Sequence, residues 1–272
     1  MNKFVVLGLV GPAGSGKDLV ADWLVKNKGF IKVSFADPMK RFVLRTFPGI
    51  TLEQLWGPSE ERNRMFDVSE MWWFEAIGHF GGGAQEIVQD VLDDSNRVPA
   101  YLQLYDWFTW LRRTYPNKLS ARIILQTLGT EWGRNVDPLL WARYAHKVAN
   151  GLRLGDRYNQ AGDPPLPGLT IGALNRPGVV IPDHRFKNEI ELTQANGGYV
   201  VRLIRASLEG AGSNVGIQGH ASETEMRSIP GDAFDFDLVL EEGLDKVEWA
   251  LQAFTESRAW EIKRHANRTV PS

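Results

Sequence analysis

The apolar positions along this chain come in two rhythms. Residues 4–10, "FVVLGLV", are apolar almost without a break and rich in β-branched side chains, which predicts a strand buried on both faces. The next stretch places Leu19, Val20, Trp23 and Leu24 on one side of a helix, with Gly29 as its natural stop. "FIKVSFAD" (30–37) alternates Ile31, Val33 and Phe35 and reads as a second strand, after which Pro38 opens a helix at its first turn. From Thr51 to about Arg97 the rhythm degrades. "TLEQLWG" starts like a capped helix, but "MWWFEAIGHFGGGAQ" mixes aromatics with three glycines, so residues 56–118 read as a helical or irregular insertion. Its end, Pro99 to Tyr115, is helical again.

The second half returns to order. Ser120 is a plausible N-cap for "ARIILQTLGTEWG", and Asp137 and Pro138 repeat that grammar as cap and first helical residue of the next helix. Residues 151–178, rich in Gly and Pro, read as a loop. "GVVIPD", "YVVRLIR" and "FDLVLEE" are three more strands, separated by the helix "KNEIELTQAN" and the glycine-rich stretch 206–227, and a helix from Leu244 closes the chain. Strands alternating with helices predict an α/β fold: one domain, 1–272, with a parallel sheet covered on both faces.

Composition narrows the function. At 272 residues with 43% hydrophobic side chains, a sizeable core is available. The formal charge is 31 − 33 = −2, so no global field draws in nucleic acid or an anionic membrane, and any anion must be held locally. The absence of cysteine excludes disulfides, zinc–thiolate sites and cysteine nucleophiles. Lys3 and the apolar run after it are faintly signal-like, but Gly11 to Lys17 interrupt the run where a cleavage site should stand. No run approaches the roughly 18 apolar residues of a membrane span. These features predict a soluble, cytoplasmic protein that binds neither nucleic acid nor membrane. Most of the ten tryptophans fall between Trp56 and Trp141, giving that region a character of its own.

The chemistry lies where strands end. Gly11-Pro12-Ala13-Gly14-Ser15-Gly16-Lys17 fits G-x-x-x-x-G-K between the first strand and its helix. This is the form of a loop whose backbone N–H groups, helix N-terminus and lysine cradle phosphates. Asp18 stands where a Ser or Thr usually helps hold Mg²⁺. Asp183 ends the strand "VVIPD" at the edge where open α/β sheets bind ligands. It is either a water-mediated Mg²⁺ ligand or orienter of a reacting group, or a cap for the following helix.

With "GPAGSGKD", the segments "RIILQTLGTEWGR…PLLW", "PDHRFKNEIE" and "HASE" resemble the deoxynucleoside monophosphate kinases of large tailed bacteriophages. The resemblance covers residues 3–50 and 120–260 and is weak across 56–118. It implies a P-loop nucleoside-monophosphate-kinase fold with a mobile lid, and transfer of the γ-phosphate of ATP to a deoxynucleoside monophosphate with Mg²⁺. Carried over, it assigns Gly11, Ala13, Gly14, Ser15, Gly16, Lys17, Asp18 and Leu19 to ATP. It assigns Arg122, Gln126, Gly129, Thr130, Trp141, Asp183, Arg185 and Glu189 to the acceptor nucleotide. Lys17, Asp18, Asp183 and Arg185 become the catalytic group, Asp18 and Asp183 the metal ligands through water, and a homodimer the family tendency. Two positions depart from the pattern: Leu19 replaces a hydroxyl residue and Ile123 a lysine.

Physical reasoning runs beside that likeness. Arg122, Gln126 and Thr130, at i, i+4 and i+8, place a cation and two polar groups on one helical face, and a guanidinium suits a phosphate dianion. Trp141 is either a flat surface for a base or a core residue, and Arg134 either a phosphate contact or a solvated helix end. Arg185 is the candidate for transition-state charge. Arg202 and Arg205 alternate on the strand before 206–227, read as a lid over ATP. Within it His220 and Glu223 fix the closed state, or Ser222 and Glu225 form a capping box. Asp18 would be repelled by bare phosphate, so it acts through Mg²⁺-bound water, or by pairing with Arg185 or Arg122, or merely starts the helix. Two rivals stand beside the kinase. "DPLLW" is similar to a dephospho-coenzyme A kinase signature, and the Asp18 substitution also suits a nucleotide-binding regulatory protein without transfer activity.

Overall fold

The computed structural model describes residues 4–12, 14–93, 96–155, 157–159, 170–172, 176–205, 228–241 and 244–257. Ala13 and the expected lid, 206–227, with His220, Ser222, Glu223 and Glu225, lie outside the described residues. The chain divides into two compact units, Met1–Ser34 with Leu174–Ser272, and Phe35–Ala173.

The first unit is built on a five-stranded sheet of β1 (Val5–Val10), β2 (Ile31–Lys32), β3 (Gly178–His184), β4 (Tyr199–Arg205) and β5 (Phe236–Leu240). Their spatial order is β2-β3-β1-β4-β5, and every neighbouring pair is parallel. This is the parallel sheet flanked by helices that the alternation of runs predicts. Helices α1 (Lys17–Lys28) and α3 (Leu244–Glu256) pack with Leu7, Leu9, Val180, Leu203 and Leu238, through Val20, Leu24, Val247 and Leu251. Helix α2 (Lys187–Ala195) sends Ile190 into the opposite face, against Val10 and Val200. Because side chains alternate across a strand, Leu7 and Leu9 serve one layer and Val10 the other. Each fully buried Leu or Val contributes about 1.5–3 kcal/mol.

Strand β2 is shorter than the alternation of 30–37 suggests. It is an edge strand, and the Val33 N–H still donates to the Val180 carbonyl at 3.0 Å, but the chain then turns into a helix at Asp37. Gly8 has a specific task. A Cβ there would stand 2.6 Å from the buried His184 ring, whose Nε2 lies 2.7 Å from the Thr193 hydroxyl on α2.

The second unit is helical. Its main helices span 37–46, 70–91, 97–114, 121–127 and 140–154, with short turns of helix at 52–56 and 59–63. "TLEQLWG" is a capped helix as expected, with Thr51 and Gln54 forming a capping box, and Ser69 and Ser120 accept from the N–H groups of Trp72 and Ile123. The expected insertion, 56–118, falls within this unit, and its glycine triplet lies inside the continuous 70–91 helix rather than in an irregular stretch. Gly83 explains why: a Cβ there would meet the Thr46 hydroxyl at 2.3 Å, so the glycine lets the 70–91 and 37–46 helices touch. Around that contact Phe42, Phe47, Trp73, Phe80, Trp107 and Phe108 form an aromatic core. Phe80 and Phe108 have ring centroids 4.8 Å apart. The stretch 151–178 is not loop throughout, since 157–159 pairs antiparallel with 170–172.

Candidate active site

The predicted phosphate loop joins β1 to α1. Gly14 and Gly16 take φ of 81° and 93°, a region that side chains with a Cβ avoid, so their spacing in the sequence encodes this backbone path. Gly11 allows a close approach, because a Cβ there would lie 2.5 Å from the Ser15 hydroxyl. Ser15 is fully buried, and its Oγ has no hydrogen-bond partner among the described residues. The Lys17 ammonium folds back over the loop and donates to the Gly11 carbonyl and, at 2.9 Å, to that of Pro12. The Arg205 guanidinium, at the end of β4, donates to the Gly14 carbonyl at 3.1 Å. A glycine-shaped loop at a helix N-terminus, with cations on its carbonyls, fits a polyphosphate. Leu19, in the first turn of α1, is exposed.

Asp18 has a partner that the sequence reading did not consider. Its carboxylate is 79% exposed and sits 2.9 Å from the Lys32 ammonium of β2, which also lies 3.0 Å from Asp22 one turn along α1. Burial lowers the Lys32 pKa, but the two carboxylates outweigh it and the net shift is upward.

At the neighbouring strand end, Asp183 accepts a short hydrogen bond from the Ser34 hydroxyl. Glu189 is buried, and one of its oxygens accepts the N–H groups of Arg185 at 2.8 Å and Phe186 at 3.1 Å. It therefore fixes the turn from which the exposed Arg185 side chain projects. Arg202 is engaged elsewhere, forking onto Asp237 at 2.8 and 2.6 Å. The first unit thus brings together the loop, Asp183, Arg185 and Glu189 along the carboxyl edge of its sheet, where Val10 pairs with His184 and Arg202.

The remaining candidates belong to the second unit. Arg122 is exposed on the 121–127 helix and Gln126 half-buried. The expected straight row to Thr130 is interrupted, because residues 128–134 form a π-helix. The wider turn rotates Thr130 away from the i, i+4, i+8 line; such turns recur at functional sites. Two glycines shape it. Gly129 lies against Met39, with a Cβ position 3.2 Å from the sulfur, and Gly133 lies flat against Trp141, with a Cβ position 2.1 Å from its ring. Trp141 is only 6% exposed, donates its indole N–H to the Gly129 carbonyl at 3.0 Å and packs on Trp132. Arg134, in the last turn of the π-helix, is half-buried.

Asp137 accepts from the Leu139 N–H at 2.8 Å and pairs with Arg143 at 3.0 Å, and the helix proper starts at Leu140. It does the work of a cap from two residues further out than Pro138 implied.

Lys32, Ser34 and Arg205 are the participants that sequence reasoning did not assign. Lys32 left no distinct signal, since it and Ser34 both occupy the polar positions of an alternating run. Among the described residues no group of three or more acidic or histidine side chains stands ready to hold a metal, and no helix is long and apolar enough to cross a membrane. Asp18 and Asp183 suit Mg²⁺ held chiefly by phosphate and water, the ion's usual habit.

No family model matches the chain. A protein of Acanthamoeba polyphaga mimivirus, provisionally named a deoxynucleotide monophosphate kinase, is 26% identical over 237 residues, 87% of each chain. The deoxynucleotide monophosphate kinase of Enterobacteria phage T4 is 23% identical over 259 residues, 90% of this chain and 97% of that protein. The likeness to viral deoxynucleoside monophosphate kinases, read first from motifs near the two ends, therefore extends across most of the chain.

Proposed function

We propose that this protein transfers the γ-phosphate of ATP to a deoxynucleoside 5′-monophosphate, giving ADP and a deoxynucleoside diphosphate. The observation that carries the reading is the loop of residues 11–17, with its two positive-φ glycines and the Lys17 ammonium on its own carbonyls, at the carboxyl edge of a parallel sheet. A loop of that shape binds the phosphates of a nucleoside triphosphate. The names of the two relatives supply the acceptor class.

Each residue then has a task that follows from its chemistry. Lys17 exchanges carbonyl partners for the β- and γ-phosphates. Asp183, oriented by Ser34, would hold the waters of Mg²⁺ beside the acceptor's phosphate, and Asp18 would serve Mg²⁺ from the first turn of α1. Mg²⁺, when bound, neutralises charge on the transferring phosphates. Arg185, presented by the Glu189-capped turn, stabilises charge that grows on the phosphoryl oxygens, the main lever in this class of reaction. Arg122 holds the acceptor's phosphate, with Gln126, Gly129 and Thr130 beside it. Trp141 positions that segment through Gly129 rather than stacking on a base. The cytoplasm of an infected host is the expected place of action.

The test is ATP consumption with identification of products, across all deoxy- and ribonucleoside monophosphates, with dephospho-coenzyme A as a competing acceptor. Transfer to at least one deoxynucleoside monophosphate, lowered by orders of magnitude in a folded Lys17→Ala variant, is the expected result. ATP binding without transfer to any of them would overturn the proposal.

A further inference from the structure

A carboxylate next to the lysine of a phosphate loop poses an electrostatic problem. Asp18 occupies a position where a neutral hydroxyl is usual, and α1 begins at Lys17, so the carboxylate lies in the turn whose N–H groups face the phosphates. ATP brings several negative charges to that turn. Without compensation, Asp18 opposes them.

We infer that Lys32 is a positioning residue for ATP binding, cancelling the charge of Asp18 and holding its carboxylate to the side of the loop. The inference rests on the kinase reading above. Three observations support it. The Lys32 ammonium stands 2.9 Å from Asp18 and 3.0 Å from Asp22, so it bridges two turns of α1 from the adjacent strand. Its side chain is only 19% exposed, which confines the ammonium, whereas the Asp18 carboxylate is largely in water. Lys32 also belongs to an edge strand, where its backbone is fixed by pairing with Val180 of the next strand. Its pKa is shifted upward, which keeps it charged through the physiological range. In the arrangement that follows, Asp18 presents an oxygen for Mg²⁺-bound water while Lys32 offsets one of the two carboxylate charges that it bridges.

The structural alternative is that Lys32 merely ties α1 to β2. A double-mutant cycle separates the two. Lys32→Gln keeps part of the stem and an N–H donor but removes the charge, so it should fold. Equilibrium affinity for metal-free ATP, measured by calorimetry in EDTA so that the Mg²⁺ role of Asp18 does not enter, should fall about fivefold, the scale of one uncompensated charge a few ångströms away in water. Lys32→Arg should stay within about twofold of wild type. Lys32→Gln combined with Asp18→Asn should recover wild-type affinity within about twofold, because the charge that Lys32 balanced is gone. A tie between helix and strand would be broken in the double variant as well, and affinity would stay low. Full affinity in Lys32→Gln, or no recovery in the double variant, would overturn the inference. Failure of the wild-type protein to bind ATP would instead overturn the kinase reading on which it rests.

Discussion

Gly82 and Gly83 are neighbours in one helix, and the same substitution at each should move stability in opposite directions. Inside a helix, alanine is favoured over glycine by about 0.8–1 kcal/mol, because it loses less backbone entropy on folding. A Cβ on Gly82 meets nothing within 4 Å, so Gly82→Ala should gain nearly that full amount. A Cβ on Gly83 meets the Thr46 hydroxyl at 2.3 Å and the Phe42 ring at 3.3 Å. Thr46 is β-branched and fully buried, so it cannot swing aside, and Phe42 is held edge-on by Phe47 and Phe80. Overpacking of this kind costs about 1–3 kcal/mol, which cancels or exceeds the helix gain.

The two variants should therefore differ by about 1–3 kcal/mol in urea unfolding. Both tryptophan fluorescence and far-ultraviolet circular dichroism should follow the transition, since the chain has two compact units. There is a functional echo. The 37–46 helix that Gly83 touches also carries Met39, which packs on Gly129. Pushing that helix should raise KM for the monophosphate while leaving ATP affinity alone. Equal stability of the two variants would refute the close contact between the helices, and with it the account of the triplet.

Tyr144→Phe removes the hydroxyl that accepts from the half-buried Arg41 guanidinium at 2.8 Å while the Arg41–Asp90 ion pair stays; urea unfolding should show a loss of about 1.5–3 kcal/mol, and a loss below about 0.5 would refute this role. His146 is buried, which lowers its pKa to about 4 from 6.5, so the unfolded chain takes up the proton first. The stability this histidine contributes is complete above about pH 6.5 and falls by about 3 kcal/mol as pH drops through 4. His146→Gln should flatten that part of the stability profile, and an unchanged profile would refute the assignment. Arg122→Ala should cost about 1.5–3 kcal/mol in monophosphate kcat/KM with ATP affinity intact; a defect confined to ATP would move the acceptor site elsewhere.

What could be read from the sequence was what local patterns encode. Buried parallel strands are written as unbroken apolar runs, and Gly14 and Gly16 announce their own backbone angles, so the sheet and the loop were legible. The glycine triplet misled because the reason for Gly83 lies on another helix, at Thr46, and helix propensity alone argues for a break. The π-helix was hidden for the same reason. Its geometry follows from Gly129 meeting Met39 and Gly133 meeting Trp141, contacts that no periodicity reports. Partners distant in sequence were equally invisible. Ser34 and Asp183 are 149 residues apart, and Lys32 reaches Asp18 across 14. Sequence reasoning could ask what balances Asp18, and offered metal or two arginines, but could not name a lysine on the adjacent strand.

The charge pattern around the loop shows how a chain of net charge −2 can hold a polyanion. Carboxylates are abundant at this sheet edge, and they are not removed; each is given a donor. Asp18 has Lys32, Asp183 has Ser34, and Glu189 has two backbone N–H groups. Lys17 and Arg205 meanwhile donate to loop carbonyls, which hold both cations at the loop. A carboxylate met by a donor repels an incoming phosphate less. The local field therefore follows from which groups are paired and with what, and summed composition is blind to that distinction. Such an arrangement also explains why Asp18 can stand beside Lys17 at all. The helix start tolerates a carboxylate, and the strand beside it supplies the compensating charge.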